Sequence, residues 1–241
     1  TVGANDARVD YLDNANGALL LEPSRTNIVS SSEDLGHSSW VLADITQSPN
    51  QEISPEGVQN ATLIANTTAN ASHNINQSLG FFTNASIAIS FYAKKKDNDF
   101  LQFGIYNSGS KWAAQKINLE TGAILGSGNS GFHNAPSGVS VIDVGNKWWR
   151  VEALFSVSLT NAAETFYLSP TQNDSNPSGV IGLYGGWTGN TDQNAYVYGI
   201  QAESGVNYAT SYIPTQGTAQ TRLVDACYND NLANVIGQTE G

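Results

Sequence analysis

The sequence predicts an all-β fold, a two-sheet antiparallel β-sandwich of the jelly-roll kind. Apolar and polar residues alternate at period two through many short runs, and no helical period persists over several turns. Gly, Asn, Ser and Pro break these runs at short intervals. The chain has 241 residues and no linker-like break, so residues 1–228 read as one large domain and 229–241 as the start of a linker or a further domain.

The candidate strands, taken in order, are 18–22, 40–46, 60–65, 73–79, 85–94, 100–106, 112–119, 139–144, 148–157, 164–169, 179–184 and 195–203. Gaps such as Gly126-Ser127-Gly128-Asn129-Ser130-Gly131 and Asn173-Asp174-Ser175-Asn176-Pro177 read as turns. Three strands have legible faces. Ile87, Ile89, Phe91 and Ala93 point one way in 85–94, with Ala88, Ser90, Tyr92 and Lys94 opposite. Leu101, Phe103 and Ile105 oppose Gln102, Gly104 and Tyr106. Trp149, Val151, Ala153, Phe155 and Val157 oppose Trp148, Arg150, Glu152 and Ser156. The first set in each strand forms the core. The second set is an outward face rich in Tyr, Gln, Arg and Glu, suited to hydrogen-bonding sugar hydroxyls while rings stack on pyranose C–H surfaces.

Charge narrows the function. Ten Lys and Arg against 21 Asp and Glu give a net charge of −11, which cannot supply the positive field that nucleic acid or an anionic lipid surface requires. No apolar run approaches the ~20 residues of a membrane-spanning helix. Aromatics at 10% with charged residues at only 13% suit a neutral glycan, held by ring faces and by amide and hydroxyl hydrogen bonds. Cys227 is the sole cysteine, and His37, His73 and His133 lie far apart, so neither a disulfide nor a zinc cluster is expected.

Two segments near opposite ends carry a resemblance. They are Gly17-Ala18-Leu19-Leu20-Leu21-Glu22-Pro23-Ser24-Arg25-Thr26-Asn27 and the run from Tyr196-Val197-Tyr198-Gly199-Ile200-Gln201-Ala202-Glu203 through Thr210-Ser211-Tyr212-Ile213-Pro214-Thr215 to Thr221-Arg222. Between them stand Phe91-Tyr92-Ala93-Lys94-Lys95, Ile117-Asn118-Leu119-Glu120-Thr121-Gly122 and Gly145-Asn146-Lys147-Trp148-Trp149-Arg150-Val151. In order and spacing this resembles the jelly-roll, carbohydrate-binding-like β-sandwich module of phage tail and virion proteins and of secreted multi-modular bacterial proteins. The resemblance runs from about Ala7 to Arg222. It implies an extracellular or virion setting and a framework role for Trp40, Trp148, Trp149, Arg150, Gln201 and Glu203, with Glu22 and Arg25 as a semi-buried pair. The final stretch 234–241 also resembles the lead-in to a further sandwich domain in related modular proteins, and together with a start at Thr1 without Met this suggests a piece of a larger modular protein, whose other domains or subunits are candidate partners.

Trp112 and Trp187 stand beside Gly-rich turns that the framework motifs do not explain. They are the candidate sugar platforms, with Tyr106 and Tyr184 nearby and Gln102 and Lys94 as polar contacts. Asp97, Asn98 and Asp99 form an oxygen-rich turn, so Asp97 and Asp99 are candidate ligands of a structural calcium ion. No compact carboxylate cluster, G-x-S-x-G elbow, phosphate loop or dinucleotide fingerprint occurs. The expected function is a non-catalytic carbohydrate-binding module for a polysaccharide or cell-surface glycan, in a phage fibre or a secreted polysaccharide-active protein. Its rivals are a purely structural virion or appendage domain and a jelly-roll polysaccharide lyase.

Overall fold

The computed structural model describes residues 9–10, 18–19, 21–107, 111–131, 133–157, 162–172 and 187–225. Its strands are β1 (Val9–Asp10), β2 (Ala18–Leu19), β3 (Arg25–Asn27), β4 (Val41–Ala43), β5 (Ile45–Ile53), β6 (Gln59–Asn66), β7 (Asn70–Ala71), β8 (Asn74–Phe82), β9 (Ala85–Lys95), β10 (Phe100–Asn107), β11 (Lys111–Asn118), β12 (Ile124–Ser130), β13 (Ser137–Asp143), β14 (Trp148–Val157), β15 (Ala162–Thr171), β16 (Trp187–Thr188), β17 (Asn194–Ser204) and β18 (Gln220–Arg222). Among the described residues there is no helix long and apolar enough to cross a membrane.

Residues Thr26–Gln220 form one compact unit containing two six-stranded antiparallel sheets. Sheet I has the order β12-β11-β10-β15-β8-β4, and sheet II the order β13-β14-β9-β17-β6-β5. Ile87, Ile89 and Phe91 of β9, Leu101, Phe103 and Ile105 of β10, and Val151, Phe155 and Val157 of β14 are all buried in one hydrophobic core. Phe103 meets Phe91 edge-on at 5.0 Å and Phe155 at 6.1 Å, arrangements that align ring edges with ring faces.

A second unit comprises Thr1–Arg25 and Thr221–Gly241. Within it β1 pairs with β2, and the Glu22 carboxylate meets Arg222 at 3.0 Å. The Asp225 carboxylate accepts from the Glu22 amide at 2.8 Å.

Sheet I corrects one expectation. The run Gly126–Gly131 was expected as a turn, yet Ile124–Ser130 is the edge strand β12, with Gly128 opposite Ala114 and Ser130 opposite Trp112. Its small residues lower strand propensity, but the complete ladder offered by β11 overrides that local preference. The candidate strand 179–184 and the tail 229–241 lie outside the described residues.

The framework motifs resolve into hydrogen bonds. The Asn27 amide donates to the carbonyls of Ile200 at 3.2 Å and Ile213 at 2.9 Å, while its oxygen accepts from the amides of Val29 and Ala202, both at 3.1 Å. Gln201 accepts from the Ile213 amide at 2.7 Å. The Glu203 carboxylate accepts from the Thr210 amide at 2.8 Å, the Thr210 hydroxyl at 2.6 Å and the Gln201 side chain at 3.0 Å. Arg150 donates to the Thr210 carbonyl at 2.6 Å. Together these bonds tie the strap 206–215 to sheet II. Gly122, at φ 71°, leaves room for the Trp149 ring, whose indole N–H donates to the Leu119 carbonyl at 2.8 Å. A Cβ at Gly122 would stand 2.6 Å from that ring.

Candidate functional site

Register places the outer-face residues of sheet I in rows. Tyr106 stands directly opposite Trp112 on one side and Thr165 on the other, and Trp112 is opposite Ser130. The next row is Gly128, Ala114, Gly104, Tyr167 and Asn76. A third row places Gln102 between Lys116 and Ser169.

Tyr106 and Trp112 are half-buried and lean on buried Tyr167 and Ala114, with the Tyr106 and Tyr167 ring centres 6.0 Å apart. Gly104 permits this, since a Cβ there would approach Tyr167 Cε1 to 3.0 Å and press on the Ala113 carbonyl. Burial pushes the Tyr167 phenol above its ordinary range, with the Gln102 hydrogen bond opposing. Burial also raises that of Tyr106, against a hydrogen bond with Thr165. Both phenols therefore remain neutral donors at ordinary pH. The result is an aromatic ledge, Tyr106 beside Trp112, with hydroxyls along its margin.

The remaining candidates lie elsewhere. Gln102 faces outward as its alternation requires, but it is 0% exposed, and its amide donates to the Tyr167 hydroxyl at 2.8 Å. It braces the face from within, so its expected place as a polar contact at the surface is corrected. Trp112, expected at the start of strand 112–119 beside a Gly-rich turn, lies in strand β11. Trp187, in β16, packs edge-on against His73 with ring centres 4.8 Å apart. It sits at the other end of sheet I, where Gln172 donates to the Thr188 carbonyl at 3.0 Å and Thr171 pairs with Phe100. The six positions from Phe100 to Tyr106 span roughly 20 Å at about 3.3 Å per residue. Lys94 belongs to sheet II, where it meets Glu52 at 3.4 Å and lies 6.0 Å from the Trp148 ring centre. Tyr184 lies outside the described residues.

The outer face of sheet II is covered in part, with Tyr198 buried and Tyr92, Lys94, Arg150 and Tyr196 half-buried. Trp148 is 1% exposed, its indole N–H donating to the Ile53 carbonyl at 2.9 Å. The hydroxyls of Tyr198 and Tyr212 donate to Glu33 at 3.1 and 3.0 Å. Arg150 pairs with Glu152 at 2.9 Å and lies over Tyr92. Their polar atoms are therefore bonded within the scaffold, to Ile53, Glu33, Glu152 and Thr210.

The acidic turn has protein partners. Asp97 accepts from Asn194 at 2.8 Å and pairs with Lys96 at 3.1 Å; the Asn194 hydrogen bond, followed by that of Lys96, lowers its carboxyl below the ordinary range. Asp99 pairs at 2.6 Å with Lys95, which also reaches Glu120 at 2.9 Å. Calcium takes six to eight oxygens, and two ammonium groups in their place do not fit such a shell. Among the described residues, no group of three His, Cys, Asp or Glu side chains gathers for a metal. The histidines are likewise engaged. His37 bonds Ser39 at 2.9 Å, His73 faces three backbone carbonyls, and buried His133 meets buried Glu164 at 2.9 Å.

Sequence reasoning missed Tyr167, which supports the ledge, and His73, which abuts Trp187. Alternation along 164–169 could have turned Tyr167 outward together with Thr165 and Ser169. Nothing local marks His73, because its partners are backbone carbonyls, two of them, Asp44 and Trp187, far off in sequence.

No family model and no curated protein matches this sequence. Among solved structures, the enzymatically active domain of tailspike protein 4 from bacteriophage CBA120 aligns at 14% identity and a TM-score of 0.37, over 73% of this chain and 21% of that one. The chain thus spans about a fifth of the length of that tailspike domain. A carbohydrate-binding module from Cellvibrio mixtus lichenase 5A, solved with cellotriose, aligns at 10% identity and a TM-score of 0.30, over 78% of this chain and 99% of that one. At those scores neither assigns a function to this chain.

Proposed function

We propose that this chain is a non-catalytic carbohydrate-binding domain and that its ligand stacks on the Tyr106–Trp112 ledge of sheet I. The observation that supports the reading is the pair of half-exposed rings set directly opposite each other on β10 and β11 and backed by buried Tyr167. Ring faces take up the C–H surfaces of a pyranose, and the flanking Thr165, Ser130 and Asn76 offer hydroxyl and amide partners. The net charge of −11 favours a neutral polysaccharide or cell-surface glycan over a polyanion. Trp187 provides a further platform toward the opposite end of the sheet. A single stacking site of this kind binds at about micromolar to millimolar Kd, and repeated copies in a fibre or a modular secreted protein would raise that by avidity.

Binding is preferred to lyase chemistry because no histidine stands in the ledge and burial raises the Tyr106 phenol, which keeps its proton at ordinary pH and makes it a poor base. The test is a glycan array with wild-type protein and the Trp112→Ala and Trp112→Phe variants. Retention of a neutral glycan by wild type, lost in Trp112→Ala and partly restored in Trp112→Phe, supports the reading. A wild-type domain that folds and retains no glycan overturns it in favour of a structural virion or appendage domain.

A further inference from the structure

His73 is fully buried, with an acceptor on each side of its ring. Nδ1 lies 2.6 Å from the Asp44 carbonyl, and Nε2 lies 3.2 Å from the carbonyls of both Ala69 and Trp187. The backbone is arranged to achieve this. Asp44 holds φ 45°, a left-handed conformation that Asp tolerates better than most residues. Gly189 lies so close that a Cβ would stand 2.6 Å from the ring's Cε1 and 2.7 Å from Nε2. The Trp187 ring closes the arrangement edge-on at 4.8 Å.

A neutral imidazole has one N–H and one lone pair, so it can donate to only one side; the other nitrogen then directs its lone pair at a carbonyl oxygen. Only the doubly protonated ring donates to both sides. Of the residues meeting the ring (Asp44, Ala69, Trp187 and Gly189), Asp44 alone is titratable, and it does so through its backbone carbonyl.

We propose that His73 is a positioning residue for Trp187. Its ring forms a proton-linked clasp that is complete when both nitrogens carry hydrogen and loosens when one proton leaves. The clasp joins the β4–β5 junction, the segment before β7 and strand β16, so loss of one contact frees the β7–β16 ribbon that carries Trp187. Its consequence for a ligand rests on the carbohydrate-binding reading above; the clasp itself does not.

The experiment follows the His73 ring nitrogens and the Trp187 indole N–H by NMR on the whole chain between about pH 5 and 8, the range in which histidine changes charge. The expected result is that the Trp187 indole signal moves with the His73 titration while the Trp112 indole signal stays still, and that the Trp187 movement vanishes in His73→Gln. A His73 ring whose protonation is constant throughout, or a Trp187 signal that ignores its titration, overturns the clasp. In parallel, retention on the glycan identified by the array falls several-fold as His73 loses its proton. Unchanged retention over a titrating clasp removes Trp187 from the binding face. A protein that retains no glycan refutes the carbohydrate reading and leaves the NMR result to decide the clasp.

Discussion

Replacing Glu203 by Ala tests the frame that closes sheet II. The carboxylate is 1% exposed and accepts three hydrogen bonds, from the Thr210 amide, the Thr210 hydroxyl and the Gln201 amide. Truncation removes the carboxylate acceptor from three buried donors. At about 1–3 kcal/mol for each orphaned group, the gross loss is roughly 3–9 kcal/mol. The Thr210 hydroxyl can rotate and the Gln201 amide also reaches the Thr210 carbonyl at 3.2 Å, so the expected net loss is about 3–5 kcal/mol, at the low end of that range. Glu203→Gln keeps the volume and one acceptor oxygen for the Thr210 amide, and its new NH2 can donate to the Thr210 hydroxyl oxygen. It therefore costs only about 1–2 kcal/mol, the difference between charge-assisted and neutral bonds. Urea titrations at pH 7 with unchanged slope give both values directly. A loss below about 1 kcal/mol in Glu203→Ala, or equal losses in both variants, would refute this account of the strap.

Further outcomes follow from the core and the acidic turn. Phe103→Ala removes a fully buried ring with two edge-on partners and is expected to cost about 3–5 kcal/mol by urea denaturation, with Phe103→Leu much milder. Asp97 has a lowered carboxyl pKa, so its stabilising contribution is present above the unfolded-state pKa and is lost as pH falls through the folded one. Asn194→Ala should move the Asp97 titration upward by NMR, and because Asn194 is itself buried and holds the Asp97 amide, the Asp97 carboxylate and the Thr191 carbonyl, it should also cost about 1–3 kcal/mol at pH 7. Calcium chelation is expected to leave Tm unchanged, since lysines occupy the Asp97–Asp99 turn. A fall of several degrees that Asp99→Ala abolishes would restore the calcium site.

The core was legible because β9, β10 and β14 each place large apolar side chains on one face and mostly small or polar ones on the other, so period-two alternation separates Phe91, Phe103 and Phe155 from their neighbours even where, as at Ser90 and Gln102, the opposite face is also buried. The candidate site was legible only in part. Lys94 and Gln102 are close in sequence and were grouped together, yet β9 lies in sheet II and β10 in sheet I. In this sandwich the chain crosses from one sheet to the other between β9 and β10, whereas β10, β11 and β12 stay together, so closeness in sequence does not imply a shared face. Gln102 and Trp148 point outward as their alternation requires but are buried. Whether an outward face is covered depends on segments that pack over it from elsewhere in the chain, and no local pattern records that. Trp112 drew attention in the sequence for the Gly109-Ser110 turn beside it, whereas its surroundings are set by Tyr106 across the ladder and by Tyr167 on β15.

Chemical-shift mapping by NMR of the chain with the neutral glycan that it retains on an array tests the central claim most directly. The account predicts the largest shifts at the Trp112 indole, the Tyr106 ring and the Thr165 and Ser130 amides, with sheet II residues Tyr92, Trp148 and Tyr212 unmoved. Shifts concentrated on sheet II, or no shift at Trp112 and Tyr106 at saturating glycan, would contradict it.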